Sequence, residues 1–368
     1  MRMVEWKPLN GIVKSVCTGL NPRDNFVLND DDADLFYVTV KEITTNRVVF
    51  SNSTDKITPN AKTIINNRSK LEKGDILFSG IGTIGKVAYV DIPTNNWDCS
   101  ESVFLIKPDE MIVNGKYLSY ILSSDIAKKQ YEKGAAGAIM KGVRKNTLVN
   151  LLIPIPSLSE QQRIVDILDS FTSSIDNLKQ QIVQRRKQYE YYRDQIFELT
   201  SKEWPYATLK DVAIIKNGKD YKNLLKGNIP VYGSGGIMTY VNDFASEKPS
   251  VLLPRKGSVE NIFYVEEPFW TVDTIYWTDI DTSKVLPKYL FYSILRYNLK
   301  DYAYGGARPS LSQPILYKLE ITLPSLSEQQ RIVSILDTFD ASIANLEEQL
   351  ALREKQYEYY RNKLLTFE

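Results

Sequence analysis

Apolar residues recur at every fourth and third position over two long stretches of the chain. In the first they are Ile164, Leu168, Phe171, Ile175, Leu178, Ile182, Tyr189, Tyr192, Ile196 and Leu199. In the second they are Ile332, Leu336, Phe339, Ile343, Leu346, Leu350, Tyr357, Tyr360, Leu364 and Phe367. A seam held over about five heptads predicts two long helices that coil around each other. At 1.5 Å per residue each helix would be about 50–60 Å long. Each seam is broken once, at equivalent places, by Arg185 and Arg353. A polar residue there costs stability and can fix register or partner choice. The alternative is an arginine that snorkels off the edge of the seam.

The two stretches are copies of each other. At an offset of 168 residues, 27 of the 42 positions in 156–197 and 324–365 are identical. Each copy starts with a proline, Pro156 or Pro324, followed by SLSEQQ. Ser159 with Gln162, and Ser327 with Gln330, fit a capping box that satisfies the exposed N–H groups of a first helical turn. Both copies also carry KQYEYYR, at 187–193 and 355–361. Its tyrosines fall on more than the seam face, which suits either a docked protein partner or a tyrosine-rich end of the seam.

The segments between the helices differ in sequence but share a plan. Each has a strand pair, KGDILFSGIGTIGKVAYV (73–90) and KPSVLLPRKGSVENIFYV (248–265). A tryptophan-containing strand follows, at 96–106 and 268–278, then a helix-like KYLSYIL (116–122) or KYLFYSIL (288–295). A glycine-rich turn at 134–148 or 305–316 leads to a last strand. The fold class is therefore α+β: two mixed α/β domains, 1–156 and 204–323, separated by two long helices, 157–203 and 324–368. The economical arrangement pairs the helices as an antiparallel coiled coil, with an internal pseudo-two-fold repeat.

Composition changes this picture mainly by exclusion. The 368 residues contain no histidine, which closes the Ser-His-Asp and Cys-His routes and most zinc catalysis. Two cysteines, Cys17 and Cys99, are too few for a disulfide framework. No apolar run approaches the roughly 20 residues that span a bilayer, so no membrane is expected and cytoplasm is the default compartment. Net charge is +1 overall, but it is +3 and +2 in the two divergent segments and −1 and −3 in the helices.

Two motifs are decoys. Gly80, Gly82 and Gly85 match GxGxxG, but a dinucleotide site needs a helix to start there, and KVAYV is strand-like. A glycine-rich β-turn is the better reading. Asn21, Pro22, Arg23 and Asp24 lack the second proline and the aromatic residue of a DNA amino-methyltransferase loop. No phosphate-binding GxxxxGK[ST] loop is present. What is left is binding chemistry. Polar and basic clusters occur at Asn66, Asn67, Arg68 and Lys70; at Lys141, Arg144, Lys145 and Asn146; at Lys216, Asn217 and Lys219; at Arg255 and Lys256; and at Arg308. Such side chains pair with base edges and phosphates; solvated surface charge is the alternative.

At this point the chain resembles the DNA specificity (S) subunit of type I restriction–modification enzymes. The resemblance rests on KGDILFSGIGTIGKVAYV, the twin IPxPSLSEQQRIV segments entering long helices, RKGSV…FWTVDTIYW, and the order domain, helix, domain, helix. It implies two target recognition domains, each reading one half of a split double-stranded DNA target. It implies a coiled coil that sets the gap and docks two modification subunits, which bind S-adenosylmethionine and methylate adenine N6. Two restriction subunits using ATP and Mg can join. It makes this chain non-catalytic and without a cofactor of its own. One heptad inserted in the helices would lengthen the rod by roughly 10 Å, about three base pairs. The expected DNA-binding residues are Arg68, Lys70, Lys141, Arg144, Lys145, Lys216, Asn217, Lys219, Arg255, Lys256 and Arg308. The expected partner and coiled-coil residues are Leu168, Phe171, Ile175, Leu178, Ile182, Arg185, Tyr189 and Tyr192, with Leu336, Phe339, Ile343, Leu346, Leu350, Arg353, Tyr357 and Tyr360. Three other readings are a specificity subunit whose partner fuses methylation and cleavage, a self-contained methyltransferase resting on the glycine motif, and a scaffold with carbohydrate- or protein-binding heads.

Overall fold

The computed structural model describes residues 4–44, 46–134, 142–200, 204–306 and 308–367, without the side chains of 133, 134, 199 and 200. Lys141, most of the glycine-rich turn at 134–148 and the side chain of Leu199 lie outside the described residues. Two units are present: residues 1–177 with 350–368, and residues 178–349.

The first unit begins with β1 (Glu5–Pro8), β2 (Val13–Thr18), β3 (Leu35–Val38), β4 (Ile43–Thr44), β5 (Arg47–Val48) and β6 (Lys56–Ile57). It continues with α1 (Pro59–Asn66), β7 (Ile76–Ser79), β8 (Val87–Tyr89), β9 (Trp97–Cys99) and β10 (Val103–Pro108). Then come α2 (Gly115–Leu122), α3 (Asp125–Gly134), α4 (Lys145–Val149), β11 (Leu152–Ile155) and the start of the long α5 (Leu158–Thr200), whose residues from Leu178 onward belong to the second unit. The second unit's domain holds β12 (Tyr206–Thr208), α6 (Leu209–Val212), β13 (Ala213–Asn217), β14 (Lys226–Gly233) and β15 (Gly236–Val241). There follow β16 (Ser250–Pro254), β17 (Phe263–Val265), β18 (Trp270–Thr271), β19 (Ile275–Ile280), α7 (Pro287–Ile294), α8 (Gln313–Leu316) and β20 (Glu320–Thr322), then the long α9 (Leu326–Leu365).

The central sheet of each unit is antiparallel, in the order β2-β10-β7-β8 or β13-β19-β16-β17. Its inner strands β7 and β16 are buried at every position because both faces are covered. With a period of two, Ile76, Phe78, Phe104 and Ile106 pack toward α2, while Leu77, Val103 and Leu105 pack on the other side with Trp97. In the second unit Val251 and Leu253 face α7, and Leu252 faces Phe269 and Trp277. The second layer is a small sheet, β6-β3-β9 or β15-β14-β18, whose β3–β9 and β14–β18 pairs are parallel. The tryptophan-containing strand expected in each segment is therefore two strands in two sheets. A turn separates them, closed by Val103 N–H to the Ser100 carbonyl (3.1 Å) and Ile275 N–H to the Val272 carbonyl (3.2 Å). The glycine motif forms the hairpin between β7 and β8, with Gly82 and Gly85 at φ +80° and +81°. No helix starts there, as the strand-like KVAYV implied.

The long helices are capped two residues earlier than the expected box places them. The capping residues are Ser157 and Ser325, whose hydroxyls accept the N–H groups of Glu160 and Glu328 (3.3 Å each). Ser159 and Ser327 instead pair with those hydroxyls at 3.0 and 2.9 Å. The second glutamine of the expected box, Gln162, is exposed, and its neighbour Gln161 is fully buried. Gln161 Oε1 accepts from Asn114 N–H (2.8 Å), and its Nε2 donates to the carbonyls of Ile112 and Pro156. Gln329 repeats this with Leu286 N–H, Lys284 and Pro324. Asn114 and Leu286 cap α2 and α7, so each glutamine fastens a long helix to the start of a short one.

A second fastening lies two turns on. Asp169 takes Lys116 Nζ (2.7 Å) and the Tyr120 hydroxyl (2.6 Å), both from α2. Asp337 takes Lys288 Nζ (3.0 Å) and the Tyr292 hydroxyl (2.6 Å), both from α7. This explains KYLxY in both segments: lysine and second tyrosine, four apart, share one helix face. The first tyrosine turns inward, Tyr117 donating to the Pro154 carbonyl and Tyr289 to that of Thr322, at 2.9 Å each.

The helices pair antiparallel. In the second unit Arg186 meets Glu347 (2.5 Å) and Tyr192 stacks on Phe339 (ring centroids 5.7 Å apart). In the first unit Phe171 stacks on Tyr360 (5.3 Å), and the Arg353 guanidinium lies 5.7 Å from the Phe171 ring. The seam arginine is thus a cation–π partner. At the far ends the burial pattern steps by one. Phe197 and Leu365 are buried, while Ile196 and Leu364 are half-buried. A helix of 3.6 residues per turn drifts from a 3.5 repeat, and these ends pack into domain cores, Phe197 against Tyr289 (5.5 Å).

One buried charge stands out in the first unit. Asp98 on β9 has no exposed surface; Oδ1 accepts Cys99 N–H (2.8 Å), and Lys62 of α1 lies 3.7 Å from Oδ2. Burial pushes its carboxyl up to about 6, against the pull of the Cys99 N–H and of Lys62.

Two tests follow from these contacts. Gln161→Ala strands the Asn114 N–H and two carbonyls, and should destabilise the first unit by about 1–3 kcal/mol in chemical denaturation, whereas Gln162→Ala should cost far less. Asp98 holds its proton more tightly folded than unfolded, so it weakens the first unit as pH rises from about 4 to 6 and the loss persists above 6. Asp98→Asn should flatten that slope and raise stability at pH 7.5 on the order of 2 kcal/mol. Hydrogen exchange in β9 reads both; an unchanged pH slope would contradict the assignment.

Candidate nucleic-acid interface

Each unit presents the end of its first sheet strand beside the start of its last short helix. In the first unit these are β2 and α4. Arg68, exposed just after α1, donates to Thr18 Oγ1 (3.0 Å) at the end of β2. Arg144 is the N-cap of α4 and Lys145 its first residue, both exposed. Burial raises the pKa of the Cys17 thiol next to Thr18, while Lys107, Lys145 and Arg68 pull against it. Lys70 is exposed but spent on Glu72 (3.1 Å). Asn66 ends α1 and Asn67 caps it; Asn146 accepts from Asn150.

In the second unit the matching pair is β13 and α8. Lys216 and Asn217 end β13, Lys219 follows, and all three are exposed. Gln313 Nε2 at the start of α8 donates to Asn217 Oδ1 (3.4 Å). The three residues line a cleft of about 650 Å³ with Phe244 and Trp270 on its wall.

A second group gathers at the β16–β17 hairpin. Arg255 Nη1 donates to the Asp273 carbonyl (3.3 Å), and its guanidinium lies 5.8 Å from the Tyr276 ring centre. Lys256 Nζ is 2.7 Å from Asp273 Oδ2, and this pairing holds the Asp273 carboxyl below its ordinary range. Segment 308–311 closes on this hairpin through Gly257 N–H to the Pro309 carbonyl (3.1 Å) and Leu311 N–H to the Arg255 carbonyl (2.8 Å). Arg308 is exposed within it. The fold thus joins 255, 256 and 308, which are distant in sequence. The first unit makes the same closure, Val143 N–H to the Gly80 carbonyl (2.8 Å), but with a tip of Gly80 and exposed Ile81 in place of Arg255 and Lys256.

Along the helices, Leu168, Ile175, Ile182, Leu336 and Tyr357 are buried. Phe171, Leu178, Arg185, Tyr189, Phe339, Ile343, Leu346, Leu350 and Arg353 are half-buried, and Tyr192 and Tyr360 are exposed at 49% and 42%. Asp273, Phe244 and Trp270 escaped the sequence reading, which sought cations and amides. The TVDTIYW stretch contained the only available signal for Asp273. Among the described residues no group of His, Cys, Asp and Glu could hold a metal ion, and no helix is long and apolar enough to cross a membrane.

Known proteins place this arrangement. Residues 3–185 and 201–353 match the family described as type I restriction modification DNA specificity domain. A type I restriction enzyme specificity subunit of Haemophilus influenzae is 33% identical over 264 residues, covering 63% of this chain and 68% of that protein. The EcoprrI specificity subunit of Escherichia coli is 25% identical over 379 residues, covering 92% and 88%. Among solved structures, the S subunit of a type I restriction-modification system from M. genitalium shares the fold with a TM-score of 0.65 at 19% identity, covering 100% of this chain and 98% of that one. Two copies of the specificity domain, each followed by a long helix of the same pair, make this chain a member of the type I restriction–modification DNA specificity subunit family.

Proposed function

We propose that the two units read the two halves of a split double-stranded DNA target. One observation carries this reading: in a family of DNA specificity domains, both units put cations at the same place in the fold, and the second unit adds amides. That place is the end of the first sheet strand and the start of the last short helix, Arg68 and Lys145 in one unit and Lys216, Asn217 and Gln313 in the other. Arginine and lysine there suit guanine edges and phosphates, and asparagine and glutamine suit adenine. The chain recognises and does not catalyse; methylation of adenine N6, with S-adenosylmethionine, belongs to two modification subunits docked on the helices. ATP and Mg belong to two restriction subunits. The compartment is the cytoplasm. Helix length sets the gap between the half-sites.

The test is single-molecule methylation sequencing of cells expressing this chain with the modification subunit encoded beside it, against cells lacking only this chain. A split motif carrying N6-methyladenine should appear only with the chain. No new motif, with both proteins soluble and co-purifying, would refute the reading. Arg255→Ala with Lys256→Ala should relax the second half-site alone; equal loss at both half-sites would sink the division of labour.

A further inference from the structure

The two units differ most where the small sheet is roofed. In the first unit, segment 39–75 between β3 and β7 folds back over β9. Ile43, Leu71 and Phe50 pack in one cluster with Trp97, and Lys62 of α1 donates to the Trp97 and Thr94 carbonyls (2.5 and 2.6 Å). Lys62 also serves the buried Asp98 beside Trp97. In the second unit the corresponding segment, 234–249, holds only β15 and a loop. The register identifies the counterparts. Tyr37 pairs with Asp98 as Tyr232 pairs with Thr271, so Trp270 and Thr271 stand where Trp97 and Asp98 stand.

Among the described residues of the second unit, none plays the part of Lys62. Trp270 is half-buried instead of fully buried, and it lines the cleft of about 650 Å³. Thr271 lines the same cleft, has no exposed surface, and its hydroxyl has no hydrogen-bond partner among the described residues. An unpaired buried hydroxyl of this kind is a standing cost to the fold. The volume lies in the range of small-ligand clefts.

The lining identifies the ligand. Phe244, 45% exposed, and Trp270 offer aromatic surface on which a base can stack. Lys216 and Lys219 supply positive charge for a phosphate. Asp243 and Asp279 are acceptors within the same cleft, and a carboxylate accepts from the exocyclic amino group of a base. Two carboxylates would repel a bare phosphate and favour a ligand that brings amino donors. We propose that this cleft is a nucleotide site, taking one base with an amino group (adenine, cytosine or guanine) and discriminating against thymine. The nucleotide comes either from the DNA target, held out of the stack, or from solution.

The source, but not the site, rests on the DNA-reading role proposed above. In the first arm the full chain is titrated with dAMP, dCMP, dGMP and dTMP, and with inorganic phosphate, while tryptophan emission is followed. The three amino-bearing nucleotides should change it saturably, with dTMP at least about tenfold weaker. Phe244→Ala should weaken binding about tenfold. Asp243→Asn with Asp279→Asn should erase the discrimination against dTMP. No saturable change with any nucleotide, or an equal response to phosphate alone, overturns the proposal. In the second arm the complex with its modification subunit binds duplexes carrying 2-aminopurine along the second half-site. A rise in its emission that Phe244→Ala abolishes assigns the nucleotide to DNA. A silent duplex with saturable free nucleotide assigns it to solution. The first arm contains no DNA, so its failure is distinct from failure of the methylation test.

Discussion

The rooting of each long helix in its own recognition unit is the constraint on which the rest depends. Two polar contacts do it. A fully buried glutamine, Gln161 or Gln329, closes the N–H and carbonyls around the start of α2 or α7. An aspartate two turns on, Asp169 or Asp337, receives a lysine and a tyrosine from the same short helix. The ion pairs are partly exposed and contribute little by themselves. Their value is directional. A hydrophobic seam tolerates rotation and sliding, whereas a buried amide with three fixed partners tolerates neither. A helix fixed in this way at its root carries a defined face and length to the place where it meets its partner.

The same logic accounts for what the repeat conserves and what it varies. Gln161 and Gln329, Asp169 and Asp337, Phe171 and Phe339, and Tyr192 and Tyr360 are pairs at the offset of 168. All lie in helix contacts that each unit makes once. The reading edges carry different residues on equivalent backbone. One hairpin tip is Gly80 and Ile81, and the other is Arg255 and Lys256 held by Asp273. The roof over the small sheet is also different, α1 and its lysine on one side and an open aromatic cleft on the other. A constant frame with variable edges suits a protein whose two units address two different ligands.

Two buried polar groups stand at equivalent places in the two units. Asp98 and Thr271 occupy the same register position, and each keeps an oxygen without a hydrogen bond among the described residues. Groups of this kind cost stability wherever they occur. That both units retain one at the junction of the small sheet with its roof singles out this junction over the well-satisfied helix roots.

Much of this was written in local sequence. The 3–4 spacing of apolar residues, the doubled SLSEQQ, the strand-like KVAYV after the glycine motif and the KYLxY helices each depend on neighbours within a turn or a hairpin, so a local pattern is enough. Other features depended on partners distant in the chain. Ser157 caps in place of Ser159, two residues earlier, and Gln161 outranked Gln162 because only the folded domain shows which side is buried. The tryptophan strand divided in two because two sheets compete for its halves. The joining of Arg255 with Arg308, of Arg68 with Thr18, and of Lys216 with Phe244 and Trp270 was not legible at all. A charged residue looks the same in a sequence whether it is solvated or gathered. Periodicity reports which face of an element is apolar, and only tertiary packing decides which faces meet.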